Sequence, residues 1–262
     1  MAARPVSAPT HVVGDLHGHL GVLKRLLRDA GLLGDGHWCG GEARLLFLGD
    51  FFDRGPDGLG CLELFMRLQR EATMAGGWVE ALVGNHDLLL LAAHRFGKGA
   101  SSGPGRTFIS DWRANGGVDT DLAGLTAAHV GWLGTCPAML HLGDTLYLHG
   151  DTTLYETLGR SVEAVNRAFR VLATEGEAAA WDALLEAFSE HGAFWGEGGV
   201  AKARQLLGRF GGVRLVHAHT PIAKLTGQPD ATVTAALHYA DGLCTDVDPG
   251  LYRGGAGFIY RP

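Results

Sequence analysis

Apolar and polar positions alternate in blocks along this chain. Residues 10–13, 44–48 and 79–83 are short apolar runs, and they stop at Gly14-Asp15, Gly49-Asp50 and Gly84-Asn85. Runs of this length, ended by glycine and a turn-forming polar residue, predict buried strands. Between them the spacing becomes helical. Leu23, Leu26, Leu27 and Ala30 mark a helix over 20–30, and Leu59, Leu62, Leu64, Phe65 and Leu68 mark another over about 58–72. Strand, turn and helix in repeated succession predict a largely parallel α/β sheet. Further on, residues 121–133, 155–174, 178–191 and 200–210 carry amphipathic helical spacing. Residues 138–142 and 145–148 flank Gly143-Asp144 and read as a hairpin, 214–216 as a strand, and 232–260 as a β-rich end. Residues 1–9 read as a loose tail and 100–107 as a glycine-serine loop. The expected organisation is one domain over 10–262, with helical insertions at about 95–136 and 151–210.

Composition sharpens this reading. Apolar residues make up 46% and charged residues 19%, which excludes intrinsic disorder. Glycine stands at 41 of 262 residues, roughly twice its usual share. It follows no triplet period, so the surplus signals tight turns and close backbone approaches. A net charge of −6 argues against a general nucleic-acid or anionic-membrane binder. The four cysteines form no CxxC pair, which disfavours zinc knuckles and a disulfide framework. No apolar run approaches ~20 residues, and the first residues lack a secretory pattern. The expectation is a soluble, cytoplasmic protein.

The chemistry lies at the strand ends. Three apolar runs finish in Gly14-Asp15-Leu16-His17-Gly18, Gly49-Asp50-Phe51-Phe52-Asp53-Arg54-Gly55 and Gly84-Asn85-His86-Asp87. Carboxyl ends of neighbouring strands share one crevice, so Asp15, His17, Asp50, Asp53, Asn85 and His86 should converge. Two later strands end in Leu148-His149-Gly150 and His217-Ala218-His219-Thr220-Pro221. A set of Asp, Asn and His without thiolates suits Mn²⁺, Fe or Zn²⁺. More than four such ligands imply two ions joined by a bridging carboxylate, a recurring solution for phosphate-ester hydrolysis.

Taken together, GDLHG, GDFFDRG, GNHD, the strand-end LHG and HAHTP resemble the calcineurin-like metallophosphoesterase superfamily. Within it the GDxxDRG and GNH(E/D) pair is most similar to the phosphoprotein phosphatases of bacterial type, and Trp112-Arg113-Ala114-Asn115-Gly116-Gly117 resembles a segment of the bacterial members. The closing stretch VDPGLYRGGAGFIY extends the likeness nearly to the end of the chain. The resemblance implies a four-layer α/β/β/α sandwich and a serine/threonine phosphoprotein phosphatase. Its cofactors would be two divalent metal ions, Mn before Fe or Zn, and its substrate a phosphorylated protein or small phosphoester. Asp15 and His17 would hold the first metal, Asp50 would bridge, and Asn85, His149 and His219 would complete the second. A hydroxide shared by the two metals would attack phosphorus in line. His86 would be the general acid, oriented by Asp53, and Arg54 would bind phosphate oxygens.

Two alternatives stand beside this reading. One is a symmetrical bis(5'-nucleosyl)-tetraphosphatase or other phosphodiesterase, since GNHDLLLLAAH resembles that group although Asp53 is kept. The other is a non-catalytic scaffold, which filled ligand positions disfavour. His217 stands where other branches supply a further ligand, but reads as a structural residue. Relatives use a second phosphate-binding arginine; here Glu197 follows Trp195 where an arginine is common, and Arg113, Arg204, Arg209 and Arg253 are the candidates. His19 reads as a helix-start residue. His11, His37, His94, His129, His141, His191 and His238 have no motif context and read as structural.

Overall fold

The computed structural model describes residues 9–99, 101 and 105–262. Residues 1–8 of the tail expected over 1–9, and residues 100 and 102–104 of the loop expected over 100–107, lie outside the described residues. The elements run in chain order as β1 (His11–Val13), α1 (Leu20–Asp29), β2 (Leu33–Gly34), β3 (His37–Trp38), β4 (Arg44–Phe47), α2 (Gly58–Met74), β5 (Trp78–Ala81) and α3 (Asn85–Phe96). Next come α4 (Phe108–Ala114), α5 (Asp119–Gly124), α6 (Ala127–Leu133), β6 (Met139–Leu142), β7 (Thr145–Leu148), α7 (Tyr155–Leu158), α8 (Val162–Glu175) and α9 (Ala178–Phe188). The chain ends with α10 (Gly199–Phe210), β8 (Arg214–His217), α11 (Ile222–Thr226), β9 (Leu237–Tyr239) and β10 (Cys244–Asp246).

Two sheets form the centre. The first has the order β1-β4-β5 and is parallel throughout. The second has the order β6-β7-β8-β10-β9, with a parallel middle and antiparallel edges. Alternation along each strand decides what lies against each face. In β4, Leu45 and Phe47 join the core formed with α1 and α2, whereas Leu46 and the following Leu48 turn to the other side. In β7, Leu146 and Leu148 face helices and Tyr147 faces Leu46 and Val12 across a second core. Two sheets back to back, each covered outside by helices, make the four-layer α/β/β/α sandwich. Tyr260 closes the free edge of β1 by exchanging backbone hydrogen bonds of 2.8 and 2.9 Å with Val12.

Three expectations need correction. The helix expected over 121–133 is two helices, because Leu125 is extended and the Thr126 hydroxyl caps α6 by accepting from the His129 N–H. The helix expected over 155–174 is also two, broken at Gly159, with Ser161 capping α8. The region 232–260 holds only two three-residue strands and is mainly loop. Its Asp246-Val247-Asp248-Pro249-Gly250 run leaves the sheet to wrap the site. Among the described residues no helix is long and apolar enough to cross a membrane.

Candidate metal centre and active site

Because β1, β4 and β5 are parallel neighbours, their carboxyl-terminal loops emerge side by side. Those of β7 and β8 do the same on the second sheet. Five non-glycine residues of these loops have left-handed backbone: His17, Asp50, Asp53, Arg54 and His219. Each such residue costs on the order of 1 kcal/mol, so the surrounding structure must hold it. Asp87 does much of the holding. Its carboxylate accepts from the backbone N–H groups of Asp50 at 2.9 Å, Phe51 at 2.8 Å and Gly84 at 2.9 Å. One buried side chain thereby ties the loop after β4 to the start of α3.

The structure brings Asp15, His17, Asp50, Asp53, Asn85, His86, His149 and His219 together, all but Asn85 buried. Asp50 belongs to two ligand groups at once, one with His17 and His86 and the other with His149 and His219. His17 Nε2 lies 3.7 Å from Asp50 Oδ2 and 3.8 Å from Asp15 Oδ2, while His149 Nε2 lies 3.5 Å from Asp50 Oδ1.

The hydrogen bonds at the outer ring nitrogens show what this cluster needs. His17 Nδ1 donates to the Phe52 carbonyl at 2.9 Å, His149 Nδ1 to that of Leu48 at 2.9 Å, and His219 Nε2 to that of Glu190 at 3.1 Å. Carbonyls only accept, so each ring keeps its proton there and turns a lone pair inward. Asn85 Oδ1 sits 2.9 Å from both His149 Nε2 and His219 Nδ1. Three inward lone pairs with no proton among them fit around a cation. The charges agree. Burial, followed by Asp248 and Asp50, pushes Asp15 well above the ordinary carboxylate range, and burial and Asp87 do the same to Asp50. Burial holds His17 and His219 far below the ordinary imidazole value and His149 at about 3. Close carboxylates kept beside neutral imidazoles form a donor set that divalent cations satisfy.

Beside this cluster, His86 Nδ1 and Asp53 Oδ2 are 2.8 Å apart, and Trp112 Nε1 donates to Asp53 Oδ1 at 2.7 Å. Burial raises Asp53 to about 7 despite the indole donor and Arg54. Arg54 donates from Nη1 to His17 Nε2 at 3.0 Å and stacks 4.2 Å over the Tyr252 ring. A cavity of about 90 Å³ opens over Asp50, Arg54, Asn85 and His86. Its rim includes Asn115, Ser189 and His191, supplied by the helical segments at 95–136 and 151–210.

Several expectations change here. His191 is not remote: its ring stacks on His219 with centroids 4.2 Å apart and lines the cavity. Burial, then Lys224 and Arg54, push it down to about 4. None of the four candidate arginines lines the cavity. Arg113 pairs with Asp119, Arg204 with Asp241, Arg209 with Glu156 and Arg253 with Asp230. His217 points elsewhere, with Nδ1 on the Ala218 carbonyl at 2.9 Å and Nε2 on the Tyr239 hydroxyl at 2.7 Å. His19 precedes α1 and donates to backbone carbonyls of its own loop. Residues that sequence reasoning passed over are Asp87, Trp112, Tyr252, Lys224 and the buried Asp248. The first two stand inside the GNHD and Trp-Asn-Gly-Gly segments, so adjacency to a motif was the available signal.

Comparison with known proteins agrees with this geometry. Over 78 residues the chain is 37% identical to Shewanella-like protein phosphatase 2 of Arabidopsis thaliana, covering 29% of this chain and 20% of that one. Over 86 residues it is 38% identical to the symmetrical bis(5'-nucleosyl)-tetraphosphatase of Ralstonia nicotianae, covering 33% and 25%. The chain thus spans a quarter or less of the length of these curated relatives. The crystal structure of the cold-active protein-tyrosine phosphatase of a Shewanella species superposes over 99% of this chain and 77% of that one, with a TM-score of 0.70 at 22% identity. That likeness is one of fold. Residues 8–223 match the family model described as calcineurin-like phosphoesterase, and the chain belongs to that family.

Proposed function

We propose that this protein is a metal-dependent phosphomonoesterase acting on phosphoserine and phosphothreonine in proteins. The observation that carries the reading is the position of Asp50, shared between two groups of inward-facing ligands. Asp15, His17 and Asp50 would hold one divalent cation, and Asp50, Asn85, His149 and His219 the other. When bound, the two cations supply an acidified water and neutralise charge on the phosphoryl oxygens. The chain's own residues do the rest. Arg54 reaches phosphate oxygens with a planar fork once its bond to His17 is exchanged. His86 lines the cavity, and Nε2, the ring nitrogen not engaged by Asp53, would give its proton to the leaving oxygen, a step worth roughly 10²–10⁴-fold. Asp53 fixes the imidazole, and Trp112 fixes Asp53.

A second reading, hydrolysis of diadenosine tetraphosphate, is favoured by the Ralstonia relative. Asp53 on His86 weighs against it. The deciding experiment uses Mn²⁺-supplemented protein and compares phosphoserine, phosphothreonine and phosphotyrosine peptides, diadenosine tetraphosphate, and bis-p-nitrophenyl phosphate with its monoester. The expected result is the highest kcat/KM on the phosphoserine or phosphothreonine peptides. A clear preference for diadenosine tetraphosphate or phosphotyrosine would overturn the assignment.

A further inference from the structure

We propose that Lys224 is the second cationic phosphate-binding residue of this site, taking the place of an arginine and lining the same cavity as Arg54. The proposal rests on the phosphoester hydrolysis argued above and adds a residue of the substrate-binding machinery to it.

The argument begins with the loop after β8. Pro221 ends the His219-Thr220-Pro221 turn and precedes α11, whose first residues Ile222 and Ala223 are buried with Val233. The Ile222 N–H donates to the Asp248 carbonyl at 3.2 Å, and the Lys224 N–H to that of Pro221 at 2.7 Å. The helix start is therefore anchored on one side, and Lys224, one residue on, is left exposed at the rim. It lines the same cavity as Arg54, His86 and Asn85, only five positions beyond the ligand His219.

Charge singles it out. The permanent cations lining the cavity are Arg54 and Lys224. The arginines expected from sequence are each engaged by a carboxylate elsewhere. Among the described residues no carboxylate pairs with Lys224. Surface lysines without a counter-ion are common, but this one stands over a site that must receive a dianion. Arg54 is held by Tyr252 and His17, and Lys224 lines the same cavity together with Pro221 and His191. Both cations bear on His191, which lines the cavity with them. A compact ammonium on a flexible stem can follow a phosphoryl group as its charge spreads, where a planar guanidinium demands a fixed approach.

The test compares Lys224→Gln and Lys224→Arg with the wild type, all loaded with Mn²⁺ and checked for metal content. Affinity for inorganic phosphate is measured by calorimetry and as product inhibition. Lys224→Gln should weaken phosphate about tenfold and lower kcat/KM for p-nitrophenyl phosphate, a dianion, by a similar factor. It should change bis-p-nitrophenyl phosphate, a monoanion, by less than threefold, and Lys224→Arg should recover most of the loss. The kcat/KM of the wild type should also fall more steeply with salt than that of Lys224→Gln. Unchanged phosphate affinity in Lys224→Gln, with an active wild type, would overturn the role of Lys224 alone. A metal-loaded wild type inert towards every phosphoester would overturn the underlying hydrolase reading and this proposal with it.

Discussion

The indole N–H of Trp112 donates to Asp53 Oδ1 at 2.7 Å, on the side of the carboxylate turned away from His86. Trp112 is fully buried, and the loop of Asn115, Gly116 and Gly117 folds back on it, with the Gly117 N–H donating to the Trp112 carbonyl at 3.0 Å. The carboxylate is thus held from both ends. Trp112→Phe keeps an aromatic ring in the core but leaves Oδ1 without its donor, and hydrogen bonds to charged groups are worth about 1.5–3 kcal/mol. The expected outcome is a fall of about tenfold in kcat with metal content unchanged. Steady-state kinetics and atomic absorption on the same preparation check it.

His86 is the next link. His86→Asn should leave both metals in place and lower turnover at least tenfold. The loss should be greater for phosphoserine peptides than for p-nitrophenyl phosphate, because p-nitrophenolate departs without a proton. Equal losses on both substrates would speak against proton delivery from His86.

The loops of the site were more legible in the sequence than the frame around them. Asp15, Asp50 and Asn85 each follow an apolar run by one or two residues, and parallel strands compel such ends to meet. The second sheet was harder, because β9 and β10 are three residues each and carry no alternation to read. Capping by Thr126 and Ser161 divided two helices that hydrophobic spacing alone joins. His191 lay hidden for another reason. Its place over His219 depends on the chain returning to the cleft after α9, a tertiary fact without a local pattern. Lys224 was passed over because a lone lysine on a short helix announces nothing until the cavity beside it is known.

Asp50 stands at the junction of both ligand groups, and its Oδ1 also accepts from the His86 N–H at 2.8 Å. Asp50→Asn replaces one anionic oxygen with an amide donor facing inward lone pairs. Both metals should be lost, and activity with them. A fully metallated and active variant, seen by metal analysis and assay together, would refute the dinuclear centre.

Asp87 allows the scaffold to be separated from the chemistry, since it lines no part of the cavity. Burial raises its carboxyl to about 7, against the pull of three backbone donors. Asp87→Asn turns an amide N–H₂ towards those N–H groups and leaves at least one unpaired, at a cost of about 1–3 kcal/mol. Urea unfolding should show a loss of that size. Metal affinity should weaken tenfold or more, because the loop carrying Asp50 is no longer pinned to Gly84.

Gly84 shows how closely the two loops must approach. Its backbone, at φ −96° and ψ 168°, is open to any residue, so conformational freedom is not what glycine supplies here. A Cβ at this position would overlap Oδ1 and the backbone nitrogen of Asp50. Across the same contact, a Cβ on Gly49 would stand 2.6 Å from the Gly84 nitrogen. Gly84→Ala must therefore push Asp50 aside, and overpacking of this kind costs about 1–3 kcal/mol. The variant should fold with a lowered Tm, bind metal at least tenfold more weakly and lose most of its activity. Gly208→Ala is the contrasting case. It lies exposed in α10, and a Cβ there meets nothing within 4 Å. That substitution should raise stability by about 0.5–1 kcal/mol and leave activity unchanged. Similar behaviour of the two variants in thermal melts and metal titrations would mean that the Gly84 contact does not position Asp50.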